Sequence, residues 1–116
     1  MIIPKDLTAA AASPMTLAIL EEGDSYGYAI IKRVRELSGG EMEWTDGMLY
    51  PVLHRLEDQG FIQSYWGSEA TARKRRYYRI TEDGRRELAA LRHQWQTVNA
   101  SLNRLWGESP GGNEHV

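Results

Sequence analysis

The chemically best-equipped residues of this 116-residue chain are its cations. Arg73, Lys74, Arg75, Arg76, Arg79, Arg85 and Arg86 lie between positions 71 and 86, opposed there only by Glu82 and Asp83. That window carries +5 within a chain of formal net charge −2, so the remainder sums to −7. Binding to a polyanion depends on such a local footprint, whatever the whole-chain sum. Taken alone, the same run is also what an ordinary solvated surface carries. Covalent or metal chemistry has far less to work with. Cysteine is absent, which removes disulfides, thiolate nucleophiles and thiolate metal ligands. His54, His93 and His115 do not fall at metal-ligand spacing, and neither a glycine-rich phosphate loop nor a nucleophile motif is present. The expectation is a protein that binds, with no catalytic residues, no metal and no cofactor.

The length suits one compact domain. With 41% hydrophobic and 26% charged residues, the composition is that of a soluble globular chain. No stretch approaches the roughly 18 apolar residues of a membrane span. The opening Met1-Ile2-Ile3-Pro4-Lys5 lacks the features of a secretory signal. A cytoplasmic protein with no membrane partner is expected.

The elements that must position the cations can be read from periodicity. Residues 5–22, rich in Ala and Leu, read as helix, with Ser13-Pro14 marking either a helix start or a kink in a longer helix. Gly23-Asp24-Ser25 breaks the chain before a second helix at about 26–38, whose stripe is Ile30, Val34 and Leu37 with Ile31 beside it. Gly39-Gly40 ends it. Thr45 or Asp46 caps a third helix ending before Gly60. Leu49, Val52, Leu53 and Leu56 share one face of it, and Asp46, Gly47, Tyr50, His54 and Arg55 the other. Pro51 sits awkwardly inside and predicts a bent or late-starting helix. Positions 61–66 and 76–80 alternate as strands, joined by a polar basic tip. Thr81 caps a last helix on which Leu88, Leu91, Trp95, Val98, Leu102 and Leu105 recur at spacings of 3 and 4. Such a heptad seam must be covered, either by a second copy of the chain or by the first helix.

Three helices, a two-stranded ribbon and a long helix follow the order of a winged helix-turn-helix with an appended dimerisation helix. The fold expected is therefore mainly α with a two-stranded β-wing. Residues 1–81 would form the DNA-binding domain, 82–106 the C-terminal dimerisation helix and 107–116 a disordered tail. In that arrangement the third helix enters the major groove and the ribbon tip meets flanking phosphates. Tyr50 and His54 on the third helix would reach phosphates or base edges, unless Tyr50 instead packs beneath the wing. Thr45 caps the helix and can also reach a phosphate, and Gly47 permits close backbone approach. Of Tyr77 and Tyr78, one is expected to point inward and one to be wet, and Arg76 and Arg79 could pair with acids instead of DNA.

Tyr26-Gly27-Tyr28, Gly47-Met48-Leu49-Tyr50-Pro51, Leu53-x-Arg55-Leu56-Glu57-x-x-Gly60 and Arg75-Arg76-Tyr77-Tyr78-x-Ile80-Thr81-x-x-Gly84 together resemble the PadR family of transcriptional regulators, over about residues 4–106. The short last helix resembles the small subfamily. Ile3-Pro4-Lys5-Asp6, Gly40-Glu41-Met42-Glu43 and Ser64-Tyr65-Trp66-Gly67 resemble its LmrR-like, multidrug-responsive branch. The chain departs from the family pattern at Met48, where a hydroxyl residue is usual, at Ala72, where glycine is common, and at Pro14 inside the first helix.

The resemblance implies a homodimeric repressor bound to duplex DNA at a pseudo-palindromic site. Arg73, Lys74 and Arg75 would then hold wing phosphates, and the Met48 position would lie at the DNA. The seam alone makes Trp95 a core-filling residue. The resemblance instead implies a pore between subunits in which Trp95 sandwiches planar aromatic ligands, with Val98 and Asn99 near it and Asp6 supplying negative charge. A winged-helix regulator without a small-molecule inducer, or a protein-interaction module, would carry the same elements.

Overall fold

A computed structural model describes residues 2–68 and 74–107. Its elements are α1 (Lys5–Glu22), β1 (Ser25–Tyr26), α2 (Gly27–Leu37), α3 (Asp46–Asp58), β2 (Ile62–Trp66), β3 (Arg76–Ile80) and α4 (Glu82–Leu105). No helix among the described residues is long and apolar enough to cross a membrane.

α1 runs unbroken through Pro14, so the helix does not begin there. It is the central member of the bundle, burying Thr8, Ala12, Thr16, Leu17, Ile19 and Leu20. α2 contributes Ile30 and Val34 to the core, but Leu37 is 53% exposed. The stripe read from the sequence outruns the core by one turn. α3 buries Leu49, Val52, Leu53 and Leu56, the face its spacing predicts. It begins at Asp46 despite Pro51, so it is not late-starting. The carbonyl that loses its i+4 donor to the proline belongs to exposed Gly47, where water can replace the missing bond.

The sheet has three antiparallel strands in the order β1-β3-β2, not two. The added strand is the two-residue β1, with Ser25 opposite Tyr78 and Tyr26 opposite Tyr77. The β2–β3 register, from Ile62 opposite Ile80 to Trp66 opposite Arg76, puts Ile62, Ser64, Trp66, Arg76, Tyr78 and Ile80 on one face. Ile62, Tyr78 and Ile80 are buried there in the helical core. The other face carries Gln63, Tyr65, Tyr77 and Arg79, with Tyr26 across from Tyr77.

The sheet hands over to α4 within one turn. Thr81 Oγ1 accepts from the Gly84 amide at 3.0 Å and donates to the Gly60 carbonyl at 2.7 Å. Leu88 is buried, and Glu21 of α1 meets Arg92 at 3.3 Å and Arg85 at 3.8 Å. Beyond that the seam opens: Leu91 and Trp95 are half-buried, while Val98, Leu102 and Leu105 are 51%, 38% and 82% exposed.

Gly84 is where this junction tolerates least. A Cβ there would stand 2.1 Å from the Phe61 carbonyl oxygen and 2.7 Å from Ile80 Cγ1. Alanine improves helix propensity by about 1 kcal/mol, but backbone is not free to yield. Gly84→Ala should therefore lower stability by about 1–3 kcal/mol, read as an earlier urea midpoint. A midpoint equal to or above wild type would mean that the start of α4 can slide off Phe61.

Candidate nucleic-acid interface

The start of α3 is capped as its sequence suggests, with Thr45 Oγ1 accepting from the Met48 amide at 3.3 Å. The outer face of the helix is open, with Asp46, Gly47, Tyr50, His54 and Arg55 all exposed. Arg55 spends one donor on α1, from Nη2 to Ser13 Oγ at 3.0 Å. Met48 is half-buried against the core. Together with Lys5, Ala9, Glu43, Thr45 and Gly47 it lines a pocket of about 420 Å³ between α1 and the beginning of α3. A thioether there fills space that a hydroxyl would leave polar.

Tyr50 lines a second cleft, also about 420 Å³, together with Tyr26, Gly27, Tyr28, Lys74, Arg75 and Arg76. The first turn of α2, the outer face of α3 and the stretch leading into β3 all meet in it. Tyr26 is the N-cap of α2, and its side chain makes no capping hydrogen bond. The amides of the first turn therefore add partial positive charge beside the three cations. Tyr50 is 37% exposed, so it both packs and faces solvent. It fits because of Gly27: a Cβ on that residue would stand 2.5 Å from Tyr50 Oη.

The sheet's outer face extends the same surface. Tyr77 stacks on Tyr65 at 5.7 Å and meets the edge of Tyr26 at 5.4 Å. The Arg75 guanidinium lies 4.6 Å over the Tyr26 ring and that of Arg79 lies 5.1 Å over Tyr65. Tyr65 Oη donates to Asp24 Oδ2 at 2.5 Å, and that bond holds the phenol above its ordinary pKa. Of the neighbouring tyrosines, Tyr78 is the inward one and Tyr77 the half-buried one. Arg76 donates to Ser64 Oγ at 2.7 Å and Arg79 to Gln63 Oε1 at 3.3 Å, so a hydroxyl and an amide oxygen take up donors for which acids were one alternative.

The structure thus brings together Tyr50, Lys74 and Arg75, with Gly47 and His54 exposed on the adjoining helix face. Arg73 and the Ala72 departure lie outside the described residues, as does the 108–116 tail. Tyr26, Gly27 and Tyr28 had no role assigned from sequence, although a small residue between two aromatics at a helix start was a usable signal. Of the residues expected around a ligand between subunits, Trp95, Val98 and Asn99 lie within one turn of each other on α4. Trp95 shares an apolar groove of about 290 Å³ with Ala11, Pro14, Met15, Ala18, Leu88 and Arg92, between α1 and α4. Val98 and Asn99 lie exposed farther along α4, and Asp6 lies exposed in the first turn of α1; none of the three lines this groove. Among the described residues no group of three or more His, Asp or Glu side chains could hold a metal ion.

Against known proteins, the transcriptional regulator PadR-like family matches residues 16–90. An uncharacterized protein of Lysinibacillus sphaericus is 30% identical over 102 residues, covering 88% of this chain and 94% of that one. The negative transcriptional regulator PadR of Bacillus subtilis is 30% identical over 79 residues, 68% of this chain but only 41% of that protein. Among solved structures, a transcriptional regulator from Clostridium thermocellum superposes with a TM-score of 0.80 at 33% identity, over 89% of this chain and 97% of that one. A PadR family regulator from Clostridium difficile gives 0.71 at 31% identity, over 83% and 98%.

The contact between Gly27 and Tyr50 can be tested without any ligand. In wild type, Gly27→Ala should destabilise by crowding the phenol. In a Tyr50→Ala background the same change should be neutral or stabilising, because alanine is the better helix former. A double-mutant cycle in urea should give a coupling of about 1 kcal/mol; strict additivity would mean that the two residues do not pack.

Proposed function

The chain belongs to the PadR-like family of transcriptional regulators, and from that membership we propose that it is a homodimeric repressor of duplex DNA. One observation carries the reading: the α2 N-terminus, the Tyr50 phenol and the cations Lys74, Arg75 and Arg76 converge on one cleft beside the exposed face of α3. In this reading α3 enters the major groove, Tyr50 and His54 reach phosphates or base edges, and Thr45 and Gly47 allow close approach at its start. Met48 stands at the entrance, mainly as packing. Lys74 and Arg75, with Arg73 next to them in the sequence, hold backbone phosphates. The seam of α4 supports dimerisation, since Val98, Leu102 and Leu105 are exposed on one helix face. A two-fold axis would then place two copies of α3 about 34 Å apart, on a pseudo-palindromic operator.

The groove beside Trp95 supports an LmrR-like response to flat aromatic ligands. Its walls are alkyl and indole, which suit a planar apolar molecule, and they include Arg92 but no carboxylate. Flatness, not positive charge, is thus the property the groove selects. A ligand there lies against α1 and α4 and would alter the separation of the two DNA-reading helices. It relieves repression only to the extent that it binds the two arrangements of the dimer unequally. The second reading, a regulator with no inducer, is favoured by the half-buried place of Trp95 between α1 and α4, where an indole can serve as packing alone.

A labelled duplex from upstream of the protein's own gene, titrated at two salt concentrations beside a scrambled duplex, tests both layers. Wild type should prefer the upstream duplex. Its log Kd should change with log salt by roughly 0.9 for each phosphate contacted. Flat aromatics should release the wild-type complex, while Trp95→Ala binds DNA unchanged and no longer responds. Weak, salt-indifferent binding contradicts the repressor reading. Full release in Trp95→Ala contradicts the ligand groove alone.

A further inference from the structure

β2 is an edge of the sheet, so alternate amides along it point away from β3 with no strand to receive them. The Gly67 amide points inward, donating to the Arg75 carbonyl at 2.8 Å, which leaves the Ser64 amide on the outward side. That amide meets a carboxylate from the last turn of α3: it donates to Glu57 Oε2 at 3.2 Å, and the Ser64 hydroxyl donates to the same oxygen at 2.7 Å. The hydroxyl in turn accepts from Arg76 Nη2 at 2.7 Å, and the Arg76 guanidinium lies 5.5 Å over the exposed Trp66 ring. Every donor and acceptor in this relay is matched in sense. It runs from α3 across both wing strands, and its helix end is a single oxygen atom.

We infer that Glu57 is the positioning residue that fixes the angle of the wing to α3, and so decides whether wing and helix can engage DNA together. The inference rests on the repressor reading, because it assigns the wing a share of the DNA contacts. Packing through Ile62 and Tyr78 holds the base of the wing. Farther out, at Ser64, Trp66 and Arg76, the wing is half-buried or exposed. A hydrogen bond to a charged acceptor is among the stronger restraints available to such a surface. The anionic charge of Glu57 is itself unfavourable near DNA, so the clamp and plain electrostatics predict opposite consequences of removing it.

The test compares Glu57→Ala with Glu57→Gln, both of which delete the charge, while only the glutamine keeps an oxygen to accept from Ser64. Without DNA, amide hydrogen exchange at Ser64 should quicken in Glu57→Ala and stay near wild type in Glu57→Gln. With the upstream duplex, Glu57→Ala should bind roughly tenfold more weakly, and its salt slope should fall by about one to two, as wing phosphate contacts are lost. Glu57→Gln should keep the full slope. The slope is unaffected by how much of a sample is folded, so a loss of stability alone cannot mimic this result. Unchanged exchange in Glu57→Ala overturns the clamp, as does an unchanged slope in that variant beside a steep wild type. Equal tightening of both variants would show that charge, not position, is what Glu57 contributes. A wild-type curve flat in salt removes the repressor reading, and this inference with it.

Discussion

The architecture depends on the one-sided burial of α3. Leu49, Val52, Leu53 and Leu56 are each no more than 6% exposed, and they tie the helix to α1, α2 and β2. Leucine-sized side chains contribute about 1.5–3 kcal/mol each when fully buried, so this face holds the helix against rotation about its own axis. Rotation by a third of a turn would bring Asp46, Tyr50 or His54 into the core, where unpaired polar groups are penalised. The exposed face is therefore presented at a fixed angle. Recognition by a helix requires this rigidity, because base edges are read over distances of ångströms.

The remaining elements orient surfaces relative to that helix. Thr81 and Gly84 set the entry of α4, with the hydroxyl capping the helix and the absent side chain letting its first turn lie against Phe61. Gly27 does the equivalent for the cleft, admitting Tyr50 against the first turn of α2. The sheet's inner face belongs to the core and its outer face to an aromatic and cationic cluster, so strand alternation separates stability from surface chemistry along five residues. Along α4 the same separation runs lengthwise. Leu88 is buried against α1, whereas Leu102 and Leu105 have more exposed surface than one copy of the chain covers.

Much of this was legible in the residues because the signals were local. The caps at Thr45 and Thr81, the buried face of α3 and the two long strands follow from side-chain chemistry within a few positions of each residue. What escaped depended on distant partners. β1 is two residues long and exists because β3 offers an edge to Ser25 and Tyr26. Leu37 continues a helical stripe that the core is too narrow to cover. Pro51 suggested a bend or a late start; the helix starts at Asp46, and the carbonyl the proline frees lies on the exposed side of α3, where a missing bond matters least. At the candidate site, the cations and Tyr50 could be named from the sequence. Their union with Tyr26, Gly27 and Tyr28 in one cleft could not, because it takes three elements to build it. The grouping of Asp6, Val98 and Asn99 with Trp95 came from resemblance; Val98 and Asn99 lie one turn beyond Trp95 on α4, and none of the three lines the groove that one copy of the chain forms.

Ethylation interference on the upstream duplex would probe the central claim, that two copies of this helix and wing read DNA about a two-fold axis. Two clusters of sensitive phosphates are expected, symmetric about a dyad and centred roughly one helical turn apart. Each should divide into contacts for the cleft around Tyr50 and contacts for the wing. A single cluster, or a bound complex with no phosphate sensitivity, would contradict the two-fold arrangement.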